Sequence, residues 1–358
     1  MLNKRYESSI AEADASPETE SVLARHITRD IGASMAPPRL GGRLWIAFLL
    51  TVIAAGVVAY IMQLVYGLSV TGMRDYVSWG VYMTDFVFFI GVSHAGTLIS
   101  AILRVTNAEW RRPITRMAEG ITVFALLVGA PMVMIDMGRP DRLHHVLLYG
   151  RLNSPILWDV LSVTTYITGS FVYLYVAAIP DFAILARQGS TGNRFSAFRM
   201  RIYRFFSLGY RGTEKQKHHL ERALATMAVV IIPVAVSVHT VVSWIFGMTL
   251  RPGWHSTIFG PYFVIGAIYS GTAGIILAMA IFRRIYHLEH YLTNRHFRYL
   301  GTLLMVFNIL YIYFTLSEYL TTWYGGMAVD MRLVDMLMGP KHFGPLFWGT
   351  IVFGLFVP

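Results

Sequence analysis

The stretch "VYMTDFVFFIGVSHAGTLISAIL", residues 81–103, runs for 23 residues without a Lys or an Arg. About 20 such residues, wound as an α-helix, cross the hydrocarbon core of a bilayer. Comparable apolar runs lie at about residues 44–66, 80–103, 117–137, 155–180, 223–247, 259–282, 299–320 and from 343 onward. They are too long and too uniformly apolar for barrel strands. The sequence therefore predicts an all-α, polytopic transmembrane helical bundle with at least eight spans.

The basic residues predict the orientation of this bundle. Of the 30 Lys and Arg residues, 23 fall in the N-terminal tail and in the loops 104–116, 184–222 and 283–298, all on one side. Because cytoplasmic loops carry the excess of basic residues, we expect the N-terminus in the cytoplasm and the 138–154 loop outside a bacterial inner (cytoplasmic) membrane. The net charge of +10 follows mostly from this asymmetry. Anionic lipids are therefore sufficient partners, and no nucleic acid is implied.

The two ends of the chain and its composition add three expectations. Residues 1–43 are polar and mixed in charge, without the apolar core of a cleavable signal, so they are expected to form a cytoplasmic tail. The chain has no cysteine, so any iron–sulfur cluster that it serves belongs to a partner. The last apolar run has about 16 residues before Pro358, which is short of a crossing, so the native chain is expected to continue.

Seven titratable residues fall inside the predicted spans, where charge is costly and each is expected to face the bundle interior, water or a ligand. They are Asp85, Glu119, Asp136, Asp159, Glu318, His94 and His239. Asp85, Asp136 and Asp159 lie within about 8 Å of the outer ends of their spans. His239 lies about 12 Å below the outer end of its own span. The two Glu residues lie near span ends, where a carboxylate reaches water at little cost.

Asp136 and Asp159 have a structural interpretation and a functional one. Asp159 follows Pro155 in the first turn of its helix, where a carboxylate complements the helix dipole. Asp136 lies at a C-terminal helix end, where the dipole disfavours an anion. Arg139 or Arg142 is the expected charge partner for it. Because intramembrane carboxylates are usually functional, this placement favours a polar cluster over simple capping.

The two histidines in the spans leave alternatives open. His94 lies on the opposite face of its helix from Asp85, so it either hydrogen-bonds a neighbouring helix or takes part in proton transfer. His94 and His239 are expected at different depths, which argues against a haem held by both. A transporter with helices broken near Pro131 and Pro233 remains an alternative. A polar cluster close to one membrane face suits an amphiphilic ligand such as a quinone.

Several motifs, taken in chain order, resemble those of a known family. They are "SHAGTLIS" at 93–100, "DMGRPDR" at 136–142, "SPILWDV" at 154–160, "IPDFAIL" at 179–185, "GTEKQKHHLERA" at 212–223, "SVHTVVS" at 237–243 and "RPGWHSTIFGPYFVIGAIYSG" at 251–271. Over about residues 74–326 the chain resembles the NrfD/PsrC family of polysulfide reductase-like membrane subunits. Within it, the likeness points to the branch with the C subunit of alternative complex III and its counterpart in the Qrc menaquinone reductase complex.

The resemblance implies a domain plan and a function. It implies a peripheral first transmembrane helix at 44–66, a quinone-binding four-helix bundle at 80–247 and a second helical bundle at 259–358. Such a chain holds no haem or iron–sulfur cluster and oxidises menaquinol or ubiquinol near the outer face, within a respiratory or photosynthetic oxidoreductase. Electrons pass to a periplasmic-side iron–sulfur subunit, then to c-type haem or molybdopterin-like subunits, beside other membrane subunits. Quinone reduction in a Qrc or polysulfide reductase-type complex is the alternative direction, and proton translocation is left open.

The resemblance also carries over to single residues. Asp159 matches a quinol-site Asp of the family, and Asp136 stands near "GRP" where alternative complex III proteins carry His. Trp244 and Ile245 stand where the family has a further Asp. Quinol oxidation releases two protons that need acceptors, so Asp136, Asp159 and His239 are expected to be catalytic. The expected substrate-binding residues are Asp85, His94, Tyr82, Trp158, Arg139, Arg142 and His144. Asp136 and Asp159 are expected to face one shared cavity, lined also by His239 and by aromatic residues such as Tyr82 and Trp158.

Overall fold

The computed structural model describes residues 40–73, 80–187, 194–249 and 251–358, and most of the tail predicted at 1–43 lies outside them. The helices in these ranges are α1 Leu40–Tyr66, α2 Val81–Val105, α3 Arg112–Asp136, α4 His145–Leu148, α5 Pro155–Arg187, α6 Arg194–Phe206, α7 Glu214–Gly247, α8 Phe259–Ile285, α9 Asn294–Gly325, α10 Ala328–Met338 and α11 Gly344–Ile351. No β-strand occurs among the described residues. The all-α prediction is confirmed.

Within the described residues, seven helices are long and apolar enough to cross a membrane: α1, α2, α3, α5, α7, α8 and α9. They correspond to the first seven predicted spans, because a chain in lipid must satisfy its backbone groups within each helix. The eighth predicted run forms a shorter apolar helix at Gly344–Phe356. Its last turn, Val352–Phe356, is wound as a π-helix.

Several helices extend beyond the apolar runs that predicted them. The basic segment at 184–222 contains the end of α5, the amphipathic helix α6 and the start of α7. A capping box begins α7, in which the Thr213 hydroxyl accepts from the Gln216 backbone N–H and the Gln216 side chain accepts from the Thr213 N–H. These ends are polar, so a search for apolar windows does not reach them.

Helix α2 lies at the centre of the bundle and packs against α3, α7 and α8. Glycines permit the close approach. A Cβ on Gly96 would lie 2.4 Å from the Ala118 carbonyl oxygen of α3, and one on Gly271 of α8 would lie 2.1 Å from the Ala95 Cβ. Helix α5 packs against α7 and α3, and α8 also packs against α9. Small residues thus bring the backbones together, as expected in a membrane, where lipid is as apolar as the side chains.

Helix α1 is largely exposed and reaches the bundle through one polar side chain. Gln63 is its only buried residue. The Gln63 amide nitrogen donates to the Ile135 carbonyl at 2.8 Å, and the Tyr82 hydroxyl donates to its amide oxygen at 2.9 Å. The rest of α1 presents an apolar surface to lipid or to another membrane subunit.

Candidate functional site

A cavity of about 440 Å³ opens between α2, α7, α8 and α9 and is called here the His239 cavity. Its lining includes Met83, Val87, Gly91, His239, Phe246, Trp254, Tyr262, Phe263, Gly266, Ser270 and Tyr311. Thr84 and Phe88 also line it and are exposed, so it opens to the side of the bundle. Apolar and aromatic walls with a few polar groups are typical of small-molecule sites, and the volume lies within their usual range of roughly 300–1,000 Å³.

Two glycines leave the space that forms this cavity. A Cβ on Gly266 would lie 2.9 Å from a ring carbon of Tyr311. A Cβ on Gly91 would lie 3.4 Å from Ala267 and 3.8 Å from His239 Nε2. A larger side chain at position 91 would approach the His239 imidazole, and one at position 266 would meet the Tyr311 ring. The two glycines therefore leave space in the cavity beside His239 and Tyr311.

His239 is one member of a buried histidine pair. Its ring centroid lies 4.4 Å from that of His94, and His94 stacks on Tyr166 with centroids 3.7 Å apart and planes 10° apart. His94 Nδ1 lies 2.7 Å from the Ile90 carbonyl oxygen, so Nδ1 carries the proton that it donates. His94 Nε2 and His239 Nδ1 are buried and have no hydrogen-bond partner in the part of the chain that the structure describes. The pair can therefore accept and donate protons beside the cavity.

The prediction that His94 and His239 lie at different depths is wrong. Residue counts along each span placed them about 8 Å or more apart in depth at 1.5 Å per residue. That count is valid only for helices that stand upright and end at one level. The closely packed helices α2 and α7 bring the two rings into contact.

Behind His94, a row of buried hydroxyls extends along α2. The Tyr166 hydroxyl lies 3.0 Å from Ser93 Oγ and 3.1 Å from Thr97 Oγ1, and Thr97 donates to Thr122 Oγ1 at 3.2 Å. All four side chains are buried. The sequence interpretation missed this row, because hydroxyl residues in spans are common and their partners lie on other helices.

The prediction made for Glu119 is also wrong. This residue was expected to reach water at a span end, yet it is only 2% exposed. One carboxylate oxygen accepts from Ser100 at 3.0 Å and the other from Arg116 at 3.1 Å. Arg116 also pairs with Asp181 at 3.2 Å. Glu119 is therefore a paired, internal carboxylate at the cytoplasmic-side end predicted for α3.

The two aspartates of the "DMGRPDR" and "SPILWDV" motifs lie at neighbouring helix ends. Asp136 ends α3 and is 9% exposed, and Asp159 lies in the first turns of α5 and is half-buried. One oxygen of each, Oδ1, is buried and has no hydrogen-bond partner among the residues described. Such an atom is costly, so a proton, water or ligand group is expected there. Neither residue lines the His239 cavity.

The structure does not bring the expected substrate-binding residues into one cavity. Tyr82 lines a separate cavity beside α1, with Gln63. Trp158 is exposed, and its indole N–H donates to the Leu152 carbonyl at 2.7 Å. Asp85 is half-buried on α2 and is not part of the His239 cavity lining. The cavity predicted to be shared by Asp136, Asp159, His239, Tyr82 and Trp158 is therefore not found, because depth along a helix did not determine which face each residue occupies.

Arg139 has a different partner from the one predicted. Its guanidinium donates two hydrogen bonds, each 3.0 Å, to the carboxylate of Asp141 and none of them to Asp136. These hydrogen bonds hold the pKa of Asp141 below its ordinary value. Arg142 and His144 are exposed in the same loop, and His144 contacts the His145 ring edge-on at 4.4 Å. The short separation of Arg139 and Asp141 along the chain makes their pairing easy.

Several known proteins are similar in sequence to this chain. The chain is 26% identical over 314 residues to the C subunit of the selenate reductase of Mesobacillus selenatarsenatis, covering 86% of this chain and 71% of that protein. It is 22% identical over 241 residues to "Hdr-like menaquinol oxidoreductase integral membrane subunit" of Archaeoglobus fulgidus, covering 66% and 50%. It is 29% identical over 125 residues to "Menaquinone reductase, integral membrane subunit" of Nitratidesulfovibrio vulgaris, covering 34% and 29%. The chain thus spans half or less of the length of two of these relatives.

A family model also matches most of the chain. The model described as "Polysulphide reductase, NrfD" matches residues 69–358, which include six of the seven membrane-spanning helices, the His239 cavity and both aspartates. The resemblance seen in the motifs is thereby confirmed. The chain is an integral, multi-pass membrane protein that belongs to the NrfD family.

Proposed function

We propose that this chain is the quinone-binding membrane subunit of a multi-subunit oxidoreductase in a bacterial cytoplasmic membrane. The observation that carries the proposal is the His239 cavity, an aromatic space beside a buried histidine pair. The names of its relatives support the substrate class, since one is a menaquinol oxidoreductase subunit and another a menaquinone reductase subunit. A quinone ring fits between aromatic walls, and its isoprenoid tail leaves past the exposed Thr84 and Phe88 into lipid.

The working direction in this proposal is quinol oxidation at the outer side. A quinol loses two electrons and two protons, and this chain has no cysteine with which to hold an iron–sulfur cluster. The electrons therefore go to an iron–sulfur centre of an outer partner subunit, and from there to c-type haem or molybdopterin-like subunits. Quinone reduction by the reverse path uses the same cavity, and the menaquinone reductase relative keeps that alternative open.

His239 has the central role at the ring. Its imidazole lines the cavity, and the 4.4 Å contact with His94 places a second base beside it. A neutral imidazole accepts a hydrogen bond from a quinol hydroxyl at one nitrogen and takes the proton as the electrons leave. Asp136 and Asp159 are proposed as further proton acceptors at the outer helix ends, where each keeps one unpartnered oxygen. In alternative complex III and Qrc-type complexes, to which the motifs pointed, the same type of subunit is expected to handle the quinone.

The test is turnover of the purified complex with His239→Gln, with His290→Gln as the control. His290 is exposed and lies outside the His239 cavity. Because a positioned base contributes about 10²- to 10⁴-fold, quinol oxidation should fall at least about 10²-fold in the first variant and stay near wild type in the second. The presence of every subunit and the amount of retained quinone are measured first.

Two other interpretations give different results in this assay. A transporter would purify without redox partners and retain no quinone. A passive membrane anchor would keep its partners and lose no turnover with His239→Gln or Asp159→Asn. Wild-type turnover and wild-type quinone content in His239→Gln would remove the His239 cavity from the proposal.

A further inference from the structure

A second cavity, of about 610 Å³, lies at the ends of α8, α9 and α10 on the side predicted to be outside. We call it the outer carboxylate cavity. Its polar lining comprises His255, Ser256, Thr257, Glu318, Thr321, Thr322 and Asp330. Glu318 accepts a short hydrogen bond from the Ser256 hydroxyl, and His255 Nε2 lies 3.7 Å from Asp330 Oδ2. Two carboxylates thus face one polar space.

Asp330 indicates what this cavity holds. The residue is 7% exposed, and its Oδ1 is buried without a hydrogen-bond partner. A carboxylate oxygen in that state needs a proton or a water. Among the described residues, no group of three His, Cys, Asp or Glu side chains is placed to hold a metal ion. The cavity is therefore suited to water and protons.

A hydrogen-bonded pair of hydroxyls leads from the His239 cavity towards the outer one. Tyr262 lines the His239 cavity, and its hydroxyl lies 3.0 Å from Thr315 Oγ1. Thr315 is buried on α9 and donates to the Tyr311 carbonyl at 2.7 Å. Glu318 follows three residues later, and residues three apart on a helix are neighbours on one face. Tyr262 and Thr315 therefore form a hydrogen-bonded pair that extends from the His239 cavity towards the Glu318 end of α9.

We propose that Tyr262, Thr315 and Glu318 form an outward proton route from the His239 cavity to the outer carboxylate cavity, where Asp330 is the second acceptor. The inference rests on the proposed function, because quinol oxidation supplies the protons. One quinol hydroxyl gives its proton to His239. The O–H bond of the other hydroxyl breaks, and its proton binds the Tyr262 oxygen as the Tyr262 proton moves to Thr315. The Thr315 hydroxyl turns from the Tyr311 carbonyl and gives its proton to Glu318. The electrons leave separately to the iron–sulfur centre of the partner.

Glu318 connects the route to the outer carboxylate cavity because of its position on α9. It lies one turn outward from Thr315 on α9, and it is half-buried against Ser256 of the loop before α8. A carboxylate there can take a proton from inside and release it into a water-filled space. The sequence predicted only that Glu318 reaches water at a span end. That prediction did not include the hydrogen bond from Ser256.

The experiment measures steady-state quinol oxidation by the whole purified complex with Glu318→Gln and Tyr262→Phe. Each variant keeps the shape of the side chain but breaks proton transfer. We expect kcat to fall about 10²-fold, the lower range for a lost acid or base, while KM for quinol stays within about twofold. The solvent deuterium isotope effect on kcat should rise, because proton movement becomes slower. Glu318→Asp should restore part of the rate.

Matched controls are Glu289→Gln and Tyr313→Phe, since both residues are exposed and lie outside both cavities. Wild-type kcat in both route variants would overturn the proposal, as would an equal loss in the controls. Loss of the outer partner subunit from Glu318→Gln complexes would also overturn it, because Glu318 would then be a docking contact. If His239→Gln abolishes turnover while the route variants do not, the quinone site stands and only the route fails.

Discussion

At the scale of single residues, the most informative atoms are buried oxygens without partners. Asp136 Oδ1 and Asp159 Oδ1 are both in this state. Leaving such a buried acceptor unpaired costs about 1–3 kcal/mol of folding stability. An apolar residue would be more stable at a position where the carboxylate had no role. The two aspartates lie at helix ends on either side of the loop that contains Arg139 and His144, which is predicted to be outside. They are therefore the residues to test first for proton uptake.

Asp136→Asn and Asp159→Asn keep the side-chain shape and remove the base. We expect each to lower quinol-dependent turnover by about 10²- to 10⁴-fold while the complex still assembles. The measurement is steady-state oxidation of quinol, or reduction of quinone, after the presence of every subunit has been checked. Asp335→Asn, at an exposed position on α10, is the control and should retain wild-type turnover. A loss in only one of the two variants would make that residue the base and leave the other as scaffolding.

At this scale, the sequence indicated which titratable residues lie in the spans better than it indicated the residues that they contact. Asp136, Asp159 and His239 were singled out because charge in a span is rare. Arg139 was expected to pair with Asp136, yet it binds Asp141 two residues away. No partner was predicted for Glu119, which accepts from Ser100 of α2. A hydrogen-bond partner depends on which helix faces which, and one sequence does not contain that information.

At the scale of elements, α2 depends on glycine for its contact with α3. The Thr122 hydroxyl donates to the Ser93 carbonyl of α2 at 3.0 Å, so the two backbones must lie close. A Cβ on Gly96 would lie 2.4 Å from both the Ala118 carbonyl oxygen and Thr122 Oγ1. A backbone carbonyl cannot turn away as a flexible side chain can. The helices would have to separate, which also disturbs the hydroxyl row behind His94.

Gly96→Ala is therefore expected to destabilise the bundle by about 1–3 kcal/mol, the usual cost of overpacking a filled interior. Gly120→Ala on α3 is the matched control, because a Cβ there meets nothing within 4 Å. That control should be neutral or slightly stabilising, since Ala favours a helix over Gly by roughly 1 kcal/mol. Thermal unfolding of the two variants in detergent gives the comparison. Equal melting temperatures would show that α2 and α3 do not pack through Gly96.

The elements themselves were the most predictable part of the molecule. Seven apolar runs became seven spanning helices, because lipid forces each run to satisfy its own backbone hydrogen bonds. Their ends were less predictable: α5 and α7 continue into polar sequence as far as Arg187 and from Glu214. The contact of His94 with His239 was missed because depth along one helix says nothing of how two helices cross.

At the scale of the whole molecule, carboxylates at the two ends of the bundle are treated differently. At the end predicted to be cytoplasmic, Glu119 is held by Arg116 at 3.1 Å. At the end predicted to be outside, Asp136, Asp159 and Asp330 each have one buried oxygen without a partner. Both oxygens of Glu119 already accept hydrogen bonds, whereas an oxygen without a partner is open to a proton, a water or a ligand group. Proton-accepting groups are thus concentrated at one end, and the orientation of the chain determines to which side the protons go.

The orientation is tested by labelling single cysteines, since the chain has none of its own. Asn153→Cys lies at an exposed position in the 138–154 loop, and His290→Cys lies at an exposed position in the 283–298 loop. Gly150 is unsuitable, because a Cβ there would lie 2.2 Å from the Val146 carbonyl oxygen.

With the 23 to 7 division of basic residues, we expect an impermeant maleimide to label Asn153→Cys in intact cells and His290→Cys only after lysis. If both sites are labelled in intact cells as well as after lysis, the membranes are leaky. A cytoplasmic marker protein with an exposed thiol is the control for such leakage. The opposite pattern would reverse the bundle. The unpaired carboxylates would then face the cytoplasm, the iron–sulfur partner would have to dock there, and quinol oxidation would release its protons inside the cell.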